Sequence, residues 1–188
     1  MQEVDFGSDG KTILPEKKVF DFGKLAVLAI FSIYFLNLSF NYPGWCFLDG
    51  MNIWIHEAGH FLFAFFGNEF LTIAGGTILQ ILMPAIFVAY FYLNGQKFSA
   101  ALTTFWLGEN FFDISVYMAD AVVLELPLLG GGGSEGHDWL NMFSMLGILD
   151  HAETIARATH IFGVLIVVFA IIWGLKYSRK QKEKIFLT

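Results

Sequence analysis

The chain has one cysteine, Cys46, only four prolines, and few charges: 15% of its 188 residues are Asp, Glu, Lys or Arg. A lone thiol excludes an intrachain disulfide and any metal site built from several cysteines. Basic residues number eleven against seventeen acidic ones, and they lie mostly towards the two ends. With no basic stripe along the sequence, nucleic acid is not expected as a partner. The first twenty residues are polar and lack a short apolar core, so no cleavable signal peptide is expected. Internal repeats are also missing.

What the chain has in excess is apolar bulk. Hydrophobic residues make up 56% and aromatic residues 18%, with a mean hydropathy of +0.60. Soluble domains average about 45–50% apolar and about 25% charged. A soluble fold of this size leaves too much of itself in water to conceal so many apolar side chains; a lipid bilayer removes the conflict. The expected fold is an all-α, polytopic transmembrane helical bundle with five or six hydrophobic segments. It divides into a polar amino-terminal segment (1–24), a transmembrane region (25–176) and a basic tail (177–188).

The apolar runs follow one another closely. The first, 25–40, approaches the ~20 residues that span a bilayer core and is broken by Asn41, Pro43 and Gly44. A second run extends from about 45 to 66 and stops at Gly67, Asn68 and Glu69. A third covers 77–93, after the Gly75-Gly76 pair, and Pro84 is expected to kink it. A turn at 94–97 leads to a fourth run, 98–126, longer than a bilayer needs. Pro127 and Gly130-Gly131-Gly132-Gly133-Ser134 read as a flexible loop. The piece 138–149 is amphipathic and too short to cross, hence interfacial or re-entrant, and 155–173 is the last span. The basic residues Lys176, Arg179, Lys180, Lys182 and Lys184 place the tail in the cytoplasm. Lys11, Lys17, Lys18 and Lys24 favour the same side for the amino terminus, which demands an even number of crossings where five are counted.

One charged island interrupts the second run: His56-Glu57-Ala58-Gly59-His60. Residues four apart on a helix are separated by about 40° around the axis and ~6 Å along it, so both imidazoles face one way. Neutral imidazole nitrogens in that arrangement suit one Zn²⁺, and Glu57, on the adjoining flank, can act on a water beside the metal. Ionisable groups in a lipid-embedded helix cost several kcal/mol without partners and mark functional sites.

This island inside an apolar helix resembles the zinc motif of the site-2 protease family of intramembrane metalloproteases. Further similarity to the short bacterial branch of that family lies in Trp106-Leu107-Gly108-Glu109-Asn110, Tyr117-Met118-Ala119-Asp120-Ala121, Leu126-Pro127-Leu128-Leu129 and Gly136-His137-Asp138-Trp139. The resemblance covers roughly residues 50–175. It implies a zinc peptidase in the bacterial cytoplasmic membrane, with Glu57 as catalytic base, one mononuclear zinc, and a membrane protein or peptide as substrate. It also implies a third ligand from an aspartate that follows the zinc helix.

The chain departs from the family at that ligand. Its Leu48-Asp49-Gly50 precedes the motif; Asp49 lies about 10 Å along the axis from His56 and reads as a helix-start residue. Asp138 is the first choice for the third ligand, with His137 and Asp113 as alternates. Glu109, Asp113, Tyr117 and Asp120 share one face of the fourth helix, which must point away from lipid; Asp113 also suits the role of a partner that fixes a ligating histidine. Gly75-Gly76-Thr77 is expected as a turn or as a loop offering its backbone to an extended substrate. Asp120 and Glu125 suit the membrane surface, His151 beside Asp150 a surface pair, and His160 a packed core position. Two other functions fit the composition: a silent zinc-containing scaffold or chaperone, and a metal transporter or sensor using the acidic face.

Overall fold

The computed structural model describes residues 5–6, 12–13, 18–42, 46–129 and 136–181. The glycine-rich segment at 130–134, the breakers Pro43 and Gly44, and the tail residues Lys182 and Lys184 lie outside them. The fold is helical: α1 Phe22–Asn41, α2 Asp49–Ala64, α3 Glu69–Leu93, α4 Lys97–Val123, α5 Asp138–Leu146 and α6 Ala152–Tyr177, with a 3-10 turn, Leu149–His151, before α6. Two minimal antiparallel ladders accompany the helices. Strand β1 (Asp5–Phe6) pairs with β2 (Thr12–Ile13), and β3 (Lys18–Phe20) pairs with β4 (Arg179–Gln181).

Three helices are long and apolar enough to cross a membrane: Phe22–Asn41, Glu69–Leu93 and Leu149–Tyr177. The expectation of five or six hydrophobic segments is therefore reduced. The second run yields only the 16-residue α2, because chain from its start is spent before Asp49 and its end turns at Gly67. The fourth yields the 27-residue α4, whose acidic and amide side chains lower its hydropathy, and α5 has nine residues.

Local chemistry sets the boundaries. Asp21 caps α1 by accepting from the Gly23 and Lys24 amides, and Asn68 caps α3 by accepting from Leu71 N at 2.9 Å. Gly67, at φ +63°, makes the turn between α2 and α3 that a side chain would strain. Leu124 adopts φ +57° at the end of α4, an uncommon conformation for a leucine. The Asp120 carboxylate holds the chain there by accepting from Glu125 N at 2.8 Å and Leu126 N at 3.2 Å. The pair Gly75-Gly76 does not form a turn or loop. It lies within α3, which runs unbroken through Pro84 as well.

Helix α4 is the axis. Along it, Phe35 of α1 stacks on Phe105 and Tyr42 on Phe112, while Lys24 lies over the Phe98 ring; α1 therefore runs parallel to α4. Asn52 of α2 bonds Glu109, and His56 faces Tyr117 at 6.0 Å between ring centroids, so α2 runs parallel to α4 too. Helices α3 and α6 are antiparallel to it, through Phe87–Trp106 and Gln80–Asp113 on one side and His160–Phe112 and Lys97–Tyr177 on the other. Consequently α1 and α2 point the same way, and α2 starts lower along α4 than α1 ends.

The core joins Leu28, Phe35, Phe105, Phe112, Val167 and Ala170 from α1, α4 and α6. At the α4–α6 crossing, Cβ atoms would not fit: one on Gly163 would lie 2.8 Å from Gly108 O, and one on Gly108 would lie 2.8 Å from Val167 Cγ2. Gly163→Ala is expected to cost about 1–3 kcal/mol through overpacking and to lower the thermal midpoint in detergent. Gly50→Ala, where a Cβ meets nothing within 4 Å, should leave the midpoint unchanged or raise it slightly.

Candidate metal centre

Helix α2 presents His56 and His60 on one face, their rings 4.8 Å apart. Facing them is Asp138, the first residue of α5: its Oδ2 lies 2.7 Å from His56 Nε2 and 3.1 Å from His60 Nε2. The short amphipathic piece thus carries the aspartate across the bundle from a position 82 residues away from His56. Asp138 N donates to Tyr117 Oη at 3.0 Å, which ties the start of α5 to α4.

The outer ring nitrogens settle the tautomers. His60 Nδ1 lies 2.9 Å from the Thr72 carbonyl oxygen, which only accepts, so Nδ1 carries the proton. His56 Nδ1 lies 3.0 Å from Gln80 Oε1, and Gln80 Nε2 donates to Asp113 Oδ2 at 2.6 Å. With its amide N–H turned to a carboxylate, Gln80 offers oxygen to His56, and His56 Nδ1 is protonated as well. Both Nε2 atoms then point at one carboxylate oxygen of Asp138. Distances of this length suit a proton on Nε2 of a charged imidazole or, with Nε2 unprotonated, a metal ion between the three groups. Burial opposes charge on Asp138, but its bonds to His56 and His60 outweigh that and hold its carboxyl below the usual range.

The space between the nitrogens is kept open by a glycine. A Cβ on Gly76 would stand 2.5 Å from His56 Nε2 and 2.7 Å from His60 Nε2. Two imidazoles and a carboxylate are the donor set of a catalytic zinc with an open position, and the three ligand atoms lie within 4.8 Å of one another. The residues fit a single zinc ion.

Glu57 is exposed on the next flank of α2 and lines, with the three ligand candidates, a cavity of about 560 Å³. Ile53, Ile73, Ile114 and the segment Leu126-Pro127-Leu128-Leu129 form apolar walls, and Tyr42, Asp49 and Asp113 add polar groups to the lining. Tyr42 Oη donates towards Asp113 Oδ1 at 3.3 Å and Asp49 Oδ1 at 3.4 Å.

The alternates for the third ligand are placed elsewhere. Asp113 reaches His56 only through Gln80. His137 is not a solvent-facing loop residue: it is 1% exposed, sets its Nε2 3.2 Å from Asp120 Oδ2, and accepts from Leu140 N as the cap of α5. Asp120 is likewise buried, whereas Glu125 is exposed. Asp49 begins α2 and accepts from Cys46 N at 2.5 Å. The acidic face of α4 turns inward as a whole, with Glu109 fully buried against Asn52, whose Oδ1 accepts from Trp106 Nε1. His160 packs in the core against Phe112 and lies 2.9 Å from the Ser39 carbonyl oxygen; His151 and Asp150 are exposed. Gln80 and Thr72 went unnoticed in the sequence, and Gly76 reads there only as part of a turn or loop. Gln80 alone had a signal, a polar side chain amid Ile78, Leu79, Ile81 and Leu82.

Comparison of the chain with protein-family models, with curated proteins and with solved structures found no match.

Zinc content of purified protein separates these roles. His56→Ala, His60→Ala and Asp138→Ala are each expected to abolish tight binding, while Asp113→Asn and Gln80→Ala should weaken it roughly 10–100-fold. Gly76→Ala should abolish it while removing no ligand. Full zinc in Asp138→Ala together with loss in Asp113→Asn would move the third ligand onto α4.

Proposed function

We propose that the protein is a multi-pass integral membrane zinc metallopeptidase of the site-2 protease type, cleaving peptide bonds within or beside the bilayer. The observation that carries this reading is the convergence of His56 Nε2, His60 Nε2 and Asp138 Oδ2 beside a free carboxylate, Glu57, on one apolar-walled cavity. A zinc ion held by these three residues supplies Lewis acidity towards a scissile carbonyl and a water. A scaffold has no use for Glu57 facing the cavity, and a transport path is poorly served by an acidic face whose members are hydrogen-bonded to neighbours at every level.

The chain's own residues have distinct tasks. Glu57 takes the proton of the attacking water and returns it to the leaving amine. Gln80 and the Thr72 carbonyl hold the imidazoles so that Nε2, not Nδ1, faces the reaction. Tyr117 fixes the start of α5, so Asp138 keeps its place when the cavity fills. The apolar walls receive side chains of an extended segment, since a helical substrate hides its carbonyls in its own hydrogen bonds. A substrate helix therefore unwinds before cleavage.

The directions of the helices favour an even number of crossings. Because α1 and α2 point the same way, they amount to one passage, and α3, α4 and α6 add three more. Four passages bring both ends to one side, in keeping with the β3–β4 ladder that joins them.

Glu57→Gln tests the chemistry. The variant should bind zinc as the parent does and lose at least about 10²-fold in hydrolysis, the lower range for a positioned general base. Native turnover of a membrane-embedded peptide by that variant would defeat the mechanism.

A further inference from the structure

Basic residues and the metal centre occupy opposite ends of the bundle. Lys24 bonds the Tyr177 carbonyl oxygen, Lys97 lies over the rings of Tyr92 and Tyr177, and Arg179 lies over Phe20. Lys18 and Lys180 are in the β3–β4 ladder at the same end, and Lys176 is in the last turn of α6. Among the described residues only Arg157 is basic and elsewhere, in an ion pair with Glu153. The other end bears exposed Glu69, Glu125, Asp150 and Glu153. By the bias of basic residues towards the cytoplasm, the first end is cytoplasmic.

Two rulers then measure the depth of the centre. Tyr117, which touches both His56 and Asp138, is twenty residues along α4 from Lys97, and at 1.5 Å per residue that is about 30 Å. This equals the thickness of the hydrocarbon core. Independently, the apolar run of α1 begins just after Lys24 and ends at Asn41, and Tyr42 beyond it reaches Asp113, the residue that holds Gln80 against His56. Both rulers put the ligands at the far boundary of the membrane. The segment 126–129 and the start of α5, which line the cavity beside them, follow α4 on that side.

From this geometry we infer that the cavity opens at the non-cytoplasmic boundary of the membrane, and that its substrate is an extended, apolar juxtamembrane segment of a polypeptide exposed on that side. The inference rests on the hydrolase reading for the word substrate, but not for the sidedness. A cytoplasmic domain, or the cytoplasmic half of a transmembrane helix, does not reach Glu57.

Single-cysteine proteins decide it. In a Cys46→Ala background, which removes a thiol that is only 1% exposed, Leu129→Cys sits at the cavity and Gln96→Cys in the α3–α4 turn; both parent residues are exposed. With a membrane-impermeant maleimide on intact spheroplasts, Leu129→Cys should label and Gln96→Cys should label only after permeabilisation. EDTA should strip zinc from the parent protein in right-side-out vesicles at least tenfold faster than in inverted ones. The reverse labelling pattern, equal labelling of both positions, or faster stripping from inverted vesicles overturns the inference. A protein that labels as expected but holds no zinc defeats the hydrolase reading and leaves the sidedness of the cavity standing.

Discussion

The backbones of α2 and α3 touch, and the candidate metal centre depends on that contact. A Cβ on Gly59 would lie 2.2 Å from Gly75 O, and one on Gly75 would lie 2.8 Å from Gly59 O. Within lipid, apolar side chains gain little by turning from acyl chains to another helix, so close packing and interhelical hydrogen bonds must hold helices together. Here one contact serves both. The glycines let α3 approach until the Thr72 carbonyl oxygen and the Gln80 amide reach the outer nitrogens of His60 and His56. Were the helices separated by ordinary side chains, both rings would lose these anchors and with them the direction of Nε2. Gly in a helix costs roughly 1 kcal/mol relative to Ala; the close packing that Gly59 and Gly75 permit, with the hydrogen bonds it brings, offsets that cost.

The acidic interior of α4 follows a related logic. Buried carboxylates are tolerated where each oxygen finds a donor. Glu109 accepts from Asn52, Asp113 from Gln80 and Tyr42, and Asp120 from two backbone amides beside His137. Every donor comes from a different part of the chain: α2, α3, the end of α1 and the approach to α5. One helix face thereby fixes the register of all the elements around the cavity. The polar residues that make α4 a poor membrane span by composition are the ones that assemble the bundle.

Much of this was legible before any coordinates. The i,i+4 histidines and their glutamate could be read from spacing alone, because helical periodicity is local and the two rings share a face whatever surrounds them. Asp138 could be favoured from the resemblance, but its convergence with the histidines is a long-range fact that periodicity does not encode. Three things were hidden. Gly75-Gly76 read as a turn because glycine pairs usually punctuate; here packing overrides propensity. The parallel course of α1 and α2 was invisible because apolar runs show length and not direction. Gln80 was passed over because one amide in an apolar run has no meaning until its neighbours are known.

The meeting of α1 with α6 bears on how the protein is made. Leu28 packs against Gly174, and the amide of Asp21 donates to the Ser178 carbonyl oxygen at 2.7 Å, so partners that touch are separated by nearly the whole described chain. As the polypeptide leaves the ribosome, α1 waits without its neighbour while α2 to α5 are made. During that interval the core face of α4, with Phe105 and Phe112, has no cover from α6. Closure comes only when α6 enters beside both helices and the two strands join. The contact that closes the fold is thus its most distant one, a kind that is slow to form, and a chain that stops before residue 163 has the elements around the cavity joined to α4 but lacks the α4–α6 crossing.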